Sequence, residues 1–130
     1  MDRLEERLEL ATKALAAFKE ILAQSFSLIV RDAAIQRFEF TVEACWKLAQ
    51  FYLYRKDGLE LNSPKAVARG FFQVSLLTEE ETSLLLQMID DRNLTVHTYN
   101  EELANTIFQR LPAYLNLLQK WVEKIRNAST

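Results

Sequence analysis

The sequence predicts an all-α protein, a four-helix up-and-down antiparallel bundle with one extra short helix. Three observations lead there. Only two glycines and two prolines occur in 130 residues, so long helices can run unbroken. The first and last segments carry apolar residues in alternating steps of four and three, the pattern of a helix with one buried face. Between them, Asp57-Gly58, Ser63-Pro64 and Thr78-Glu79-Glu80-Glu81 punctuate the chain with helix stops and starts. A chain of this length is expected to form a single domain over residues 1–130 with an ordinary core.

The first helix is expected over roughly Arg3–Ser25, with Leu4, Leu8, Ala11, Leu15, Phe18 and Leu22 on one stripe. The second, about Asp32–Lys56, carries two stripes on nearly opposite sides. Ile35, Phe38, Val42, Cys45, Trp46, Ala49 and Leu53 form one, and Ala33, Phe40, Ala44 and Phe51 the other. A helix apolar on two sides is buried on two sides, either by neighbouring helices or by a subunit interface. Gly58 supplies the left-handed exit. Ser63 caps a short third helix with Pro64 in its first turn. Thr78 and Glu81 form a capping box that opens a fourth helix, whose inward face carries Leu85, Met88 and Ile89. The last helix, roughly Asn100–Arg126, buries Leu103, Ile107, Leu111, Tyr114, Leu118, Trp121 and Ile125, with a kink expected near Pro112.

Composition narrows the function. Hydrophobic residues make up 49% of the chain and charged residues 26%, an ordinary globular balance. A net charge of -2 gives no global signature for nucleic acid, so any RNA contact would use a local patch. The single cysteine excludes an internal disulfide, and its apolar surroundings predict an inert core thiol in a reducing cytoplasm. The start of the chain, with Asp2, Arg3, Glu5 and Glu6, does not read as a signal peptide. The apolar run Phe38–Tyr54 is broken by Glu39, Glu43, Lys47 and Gln50 and is too polar to span a membrane.

The chemically suggestive interval is Arg92–Tyr99, which holds the only histidine between an arginine and a tyrosine. Arg92 lies three residues after Ile89 and continues the inward stripe of the fourth helix, so it needs an anionic partner. Asp90 and Asp91 lie on other faces and are expected to be a solvated pair at the helix end. His97 comes five residues after Arg92, which in an unbroken helix puts it roughly 140° out of alignment. The two converge on one cleft only if the helix breaks between them. Thr95, Val96, His97 and Thr98 are modest helix formers, and Thr98 with Glu101 reads as a second capping box that restarts the chain.

An arginine and a histidine at such a junction suit metal-free phosphoryl transfer. The guanidinium fork binds phosphate oxygens, and imidazole exchanges protons near neutral pH. On RNA the nucleophile would be the ribose 2′-hydroxyl, with Asn93 orienting the phosphate or holding the His97 ring. A structural histidine beside a cap and a salt-bridged arginine is the other reading of the same residues. One histidine and one cysteine make no zinc pattern, and no metal site is expected.

Arg92, four residues, His97, one residue and Tyr99 resemble the motif of HEPN domains that pair with minimal nucleotidyltransferases. The block Arg31-Asp32-Ala33-Ala34-Ile35-Gln36-Arg37-Phe38-Glu39-Phe40-Thr41 with Trp46-Lys47 is similar to the same family. So are Ser63-Pro64 and Asp91-Arg92-Asn93 through His97-Thr98-Tyr99-Asn100-Glu101, in the family's order over nearly the whole chain. The family often has tryptophan near Leu85 and arginine near Lys65. Leu85 is expected to fill the core, and Lys65 keeps the charge without the bidentate reach.

The resemblance implies a HEPN-like bundle, homodimeric or of higher order, acting as a metal-independent endoribonuclease toxin. Arg92 and His97 would be its catalytic pair, supported by Asn93. A partner nucleotidyltransferase would neutralise it by moving AMP from ATP onto Tyr99, and the chain itself would need no cofactor. The alternative is a non-catalytic substrate-binding subunit of a two-component nucleotidyltransferase, in which the same motif serves recognition. A plain helical scaffold is the third reading and the one the motif disfavours.

Overall fold

The structure, a computed structural model, describes residues 2–129. Five helices follow one another: α1 (Arg3–Leu22), α2 (Leu28–Asp57), α3 (Pro64–Gln73), α4 (Glu79–Leu94) and α5 (Glu101–Ala128), with a 3-10 turn over Thr95–His97 before α5. The four long helices form the expected up-and-down bundle and α3 is the short addition. Side-chain pairings give the directions. Arg37 and Thr41 of α2 reach the carbonyls of Ala17 and Ala14 in α1, so these two run antiparallel. Lys124 pairs with Glu81 and Arg110 with Asp91, so α4 and α5 are antiparallel as well.

Local chemistry sets most of the ends. Asp2, Ser63 and Thr78 accept hydrogen bonds from the amides of Glu5, Ala66 and Glu81, and the Glu81 carboxylate accepts in turn from the Thr78 amide. Gly58 leaves α2 at a φ of 68°, a conformation that favours a residue without a Cβ. Two starts differ from expectation. Helix α2 begins at Leu28, capped by Ser27, because a side-chain oxygen bonded to the Val30 amide outweighs the missing apolar periodicity of the exposed Leu28 and Ile29. Helix α5 is capped by Asn100, whose amide oxygen accepts from Leu103, while the Thr98 hydroxyl donates back to Thr95. The Thr98–Glu101 capping box therefore does not form. Pro112 sits on the exposed side of an uninterrupted α5.

The core is aromatic at its centre. Phe38 stacks on Tyr114 at 5.6 Å and meets Phe18 at 6.0 Å, while Phe71 meets Trp121 edge-on at 5.4 Å. Each such side chain, fully buried, contributes roughly 2–3 kcal/mol. Cys45 lies fully inside, and burial pushes its thiol up to about 12. The first stripe of α2 is covered, except that Trp46 is half-buried, and it widens to take in Ala34, Thr41, Leu48 and Tyr52. The second stripe is only partly covered by the chain, with Ala33 and Ala44 half-buried. Phe40 is 62% exposed, and Phe51 is half-buried beneath the guanidinium groups of Arg3 and Arg7. Among the described residues no helix is long and apolar enough to cross a membrane.

Candidate active site

The turn after α4 is placed by an ion-pair network that the sequence reading missed. Asp91, expected in solvent, is 3% exposed. Its carboxylate receives Arg110 Nη1 at 3.0 Å on both oxygens and the Tyr114 hydroxyl on one of them. Gln87 donates to the same phenol at 2.9 Å. Burial, then the bond to the Asp91 carboxylate, pushes the Tyr114 hydroxyl up to about 12. Asp90 also has a partner, Lys65 at 2.6 Å. Asp91 turns inward because α5 brings an arginine and a phenol to that face, which sequence proximity cannot reveal.

One residue further on, Arg92 is half-buried, as its place on the inward stripe requires. Its Nη1 lies 3.4 Å from the Glu39 carboxylate of α2 and donates to Thr95 Oγ1 at 3.3 Å. The buried Nε has no partner among the described residues. Thr95 itself donates to the Arg92 carbonyl at 2.7 Å, which closes the helix and opens the 3-10 turn. The break expected between Arg92 and His97 is therefore present.

His97 ends this turn, exposed, and Tyr99 stands 82% exposed two residues later. The Tyr99 hydroxyl lies 3.4 Å from His97 Nδ1, with the rings edge-on at 5.9 Å. Asn93 is exposed and makes no hydrogen bond to Arg92 or His97 among the described residues. Beside Tyr99 opens a cleft of about 520 Å³, lined by Asp32, Ala33, Ile35, Gln36 and Glu39 of α2 together with Thr98 and Tyr99. Tyr99 lines this cleft, as does Glu39, the ion-pair partner of Arg92, whereas Arg92 and His97 themselves are not among its lining residues.

A second network holds the far side. Arg31 is 2% exposed. It donates to Asp32 at 3.0 Å, to both oxygens of Glu101 at 2.7 and 3.3 Å, and to Asn105 at 3.0 Å. This joins the first turn of α2 to the first turn of α5. The signal for Arg31 was available, since it lies four residues before Ile35 on the main stripe of α2, the same argument that placed Arg92. Arg31 holds the Glu101 carboxyl below the usual carboxylate range. A carboxyl with a depressed folded-state pKa stabilises above its unfolded value, and that stabilisation is lost as pH falls through the folded one. Glu101→Gln is accordingly expected to flatten the acid limb of a melting-temperature profile. An unchanged acid limb would show that the pair contributes nothing in solution.

The site thus offers a guanidinium with spare donors, an accessible imidazole and a phenol held against it. No group of three or more His, Cys, Asp or Glu side chains gathers as a metal site among the described residues.

The comparisons with known proteins agree with this fold. Residues 6–127 match the family described as nucleotidyltransferase substrate binding protein like. A protein of Thermus thermophilus with a crystal structure is 54% identical over 89% of this chain and 98% of its own, with a TM-score of 0.86. A tri-AMPylated HEPN toxin of Shewanella oneidensis, solved in complex with an MNT antitoxin, shares 16% identity over 98% of this chain and 99% of its own, with a TM-score of 0.79. A toxin–antitoxin structure with AMP-PNP shares 15% identity over 96% of this chain and 99% of its own, with a TM-score of 0.78. No curated protein matches the chain. The last two likenesses are of fold, whereas the family match spans nearly every residue, and this HEPN-fold bundle belongs to the nucleotidyltransferase substrate binding protein like family.

Proposed function

We propose that this chain is the toxin of a HEPN–nucleotidyltransferase toxin–antitoxin pair, a metal-independent endoribonuclease silenced by AMP transfer to Tyr99. The observation that carries the reading is the exposed Tyr99 hydroxyl placed 3.4 Å from His97, one short turn beyond Arg92. An acceptor must present its oxygen to another protein, and this phenol is the most exposed aromatic side chain of the site. In the cleavage step the 2′-oxygen of a ribose attacks the adjacent phosphorus and the bond to the 5′-oxygen breaks. A 2′,3′-cyclic phosphate and a free 5′-hydroxyl result. His97 moves the proton, Arg92 stabilises the charge gathering on the phosphoryl oxygens, and Asn93 contacts the phosphate. Two copies would meet through the uncovered α2 face around Ile29 and Phe40, 82% and 62% exposed, and bring two such pairs together.

In the silencing step the Tyr99 oxygen attacks the α-phosphorus of ATP held by the partner, pyrophosphate leaves, and the phenolic proton passes to a base. The bound AMP then places a bulky anion beside His97, which repels and blocks an RNA phosphate. The substrate-binding reading, in which the chain only presents Tyr99, draws support from the acidic cleft beside it, where Asp32 and Glu39 are poor company for RNA. Cleavage of RNA by wild-type protein in the presence of a chelator decides between the two, and the absence of cleavage leaves only the subunit reading. Tyr99→Phe is expected to remain toxic and to gain no mass when treated with the partner and ATP. An intact-mass increase persisting in Tyr99→Phe would remove the acceptor assignment.

A further inference from the structure

Arg92 is half-buried and makes few of the contacts its guanidinium could make. Arg31 engages all three of its nitrogens at 2.7–3.3 Å, and Arg110 grips both oxygens of Asp91 at 3.0 Å. Arg92, with five N–H donors to satisfy, has one hydrogen bond at 3.3 Å, one ion pair at 3.4 Å and a buried Nε without a partner among the described residues. Charge-assisted pairs close to about 2.7–2.9 Å when they are fully made. The Arg92–Glu39 pair is loose, although both side chains are held in a half-buried setting at 28% and 29% exposure.

Glu39 is equally uncommitted. It makes no other ion pair or hydrogen bond among the described residues, and it lines the cleft beneath Tyr99. We infer that Glu39 is a built-in competitor for Arg92, a carboxylate loosely paired with one nitrogen of the guanidinium that a substrate phosphodiester must take over. The inference rests on the ribonuclease reading above and adds a regulatory residue to it. Carboxylate and phosphodiester both offer two oxygens and one negative charge to the same planar fork, so they exclude one another. A phosphate approaching from the cleft meets Glu39 before it meets Arg92. The loose geometry sets the scale, since a partly exposed pair resists displacement only weakly. Glu39 therefore tunes affinity rather than abolishing it, and it disfavours any anion that cannot displace a single carboxylate.

The test is binding of a fluorescent RNA oligonucleotide, read by anisotropy at low salt in a His97→Ala background that does not cut it. Adding Glu39→Gln is expected to tighten binding about three- to tenfold. The same substitution in an Arg92→Ala background is expected to change binding by less than about twofold, because nothing is left to release. Equal tightening in both backgrounds would reduce the effect to net charge and overturn the proposal, as would no tightening in either. Glu39→Asp, which withdraws the carboxylate by one methylene, is expected to shift affinity in the same direction by less and serves if the glutamine variant does not fold. Cleavage of RNA by the wild type with no effect of Glu39→Gln would sink the competitor alone. Neither binding nor cleavage of RNA by any form would sink the ribonuclease reading and the competitor with it.

Discussion

His97→Ala is expected to slow RNA cleavage by about 10²- to 10⁴-fold, the usual contribution of a positioned acid–base group, and to abolish growth toxicity. The melting temperature is expected to stay close to that of wild type. Two features separate these outcomes. The imidazole is exposed and its ring contacts are to Tyr99, itself exposed, so no core packing is lost. The backbone of the turn does not need the ring, because Asn100 donates to the His97 carbonyl, which alanine retains. Cleavage by the variant within a few-fold of wild type would show that His97 carries no proton in the reaction. A large fall in melting temperature would show instead that the histidine is structural.

Asp91→Ala is expected to do the reverse, costing about 3 kcal/mol of stability through a residue that touches no substrate. The carboxylate is buried and accepts from a guanidinium and a phenol, and hydrogen bonds to charged groups contribute roughly 1.5–3 kcal/mol each. The cost stays below that of a fully buried pair because Arg110 is 45% exposed and regains water when released. For a chain of this size the loss corresponds to a fall of roughly 10 °C in melting temperature. Asp91→Asn, which keeps the shape and one acceptor, is expected to lose less. A melt of Asp91→Ala unchanged from wild type would show that the network is not made in solution.

The contrast between these neighbours marks how far the sequence could be read. Helix number, the order of the elements, the Gly58 exit, the Thr78 capping box and the break after Arg92 all follow from local chemistry, and local chemistry is what a sequence displays. Thr98 and Asn100 are both good caps two residues apart. The choice between them depends on the 3-10 turn, which occupies the Thr98 hydroxyl. Asp91 and Glu39 were harder for another reason. Their partners lie on other helices, and a charged residue declares whether it is buried only once the packing brings its counterion. The second stripe of α2 shows the same limit from the apolar side. Its pattern says that Phe40 should be covered, and the chain on its own does not cover it.

The two ion-pair networks flank the motif, Asp91 with Arg110 on one side and Glu101 with Arg31 on the other. Between them runs the segment from Arg92 to Asn100, stiffened further by the bonds that Thr95 and Thr98 make to backbone carbonyls. A segment tied at both ends has already given up most of the freedom that an encounter would otherwise take from it. Immobilising a flexible side chain on association costs roughly 0.5–1.5 kcal/mol, and here the backbone share of such ordering is met during folding. The motif behaves less as a loop than as a fixed printing plate. Whatever meets Arg92, His97 and Tyr99 finds the backbone beneath them already ordered, so what is left to settle on contact is the side chains and the charge they carry.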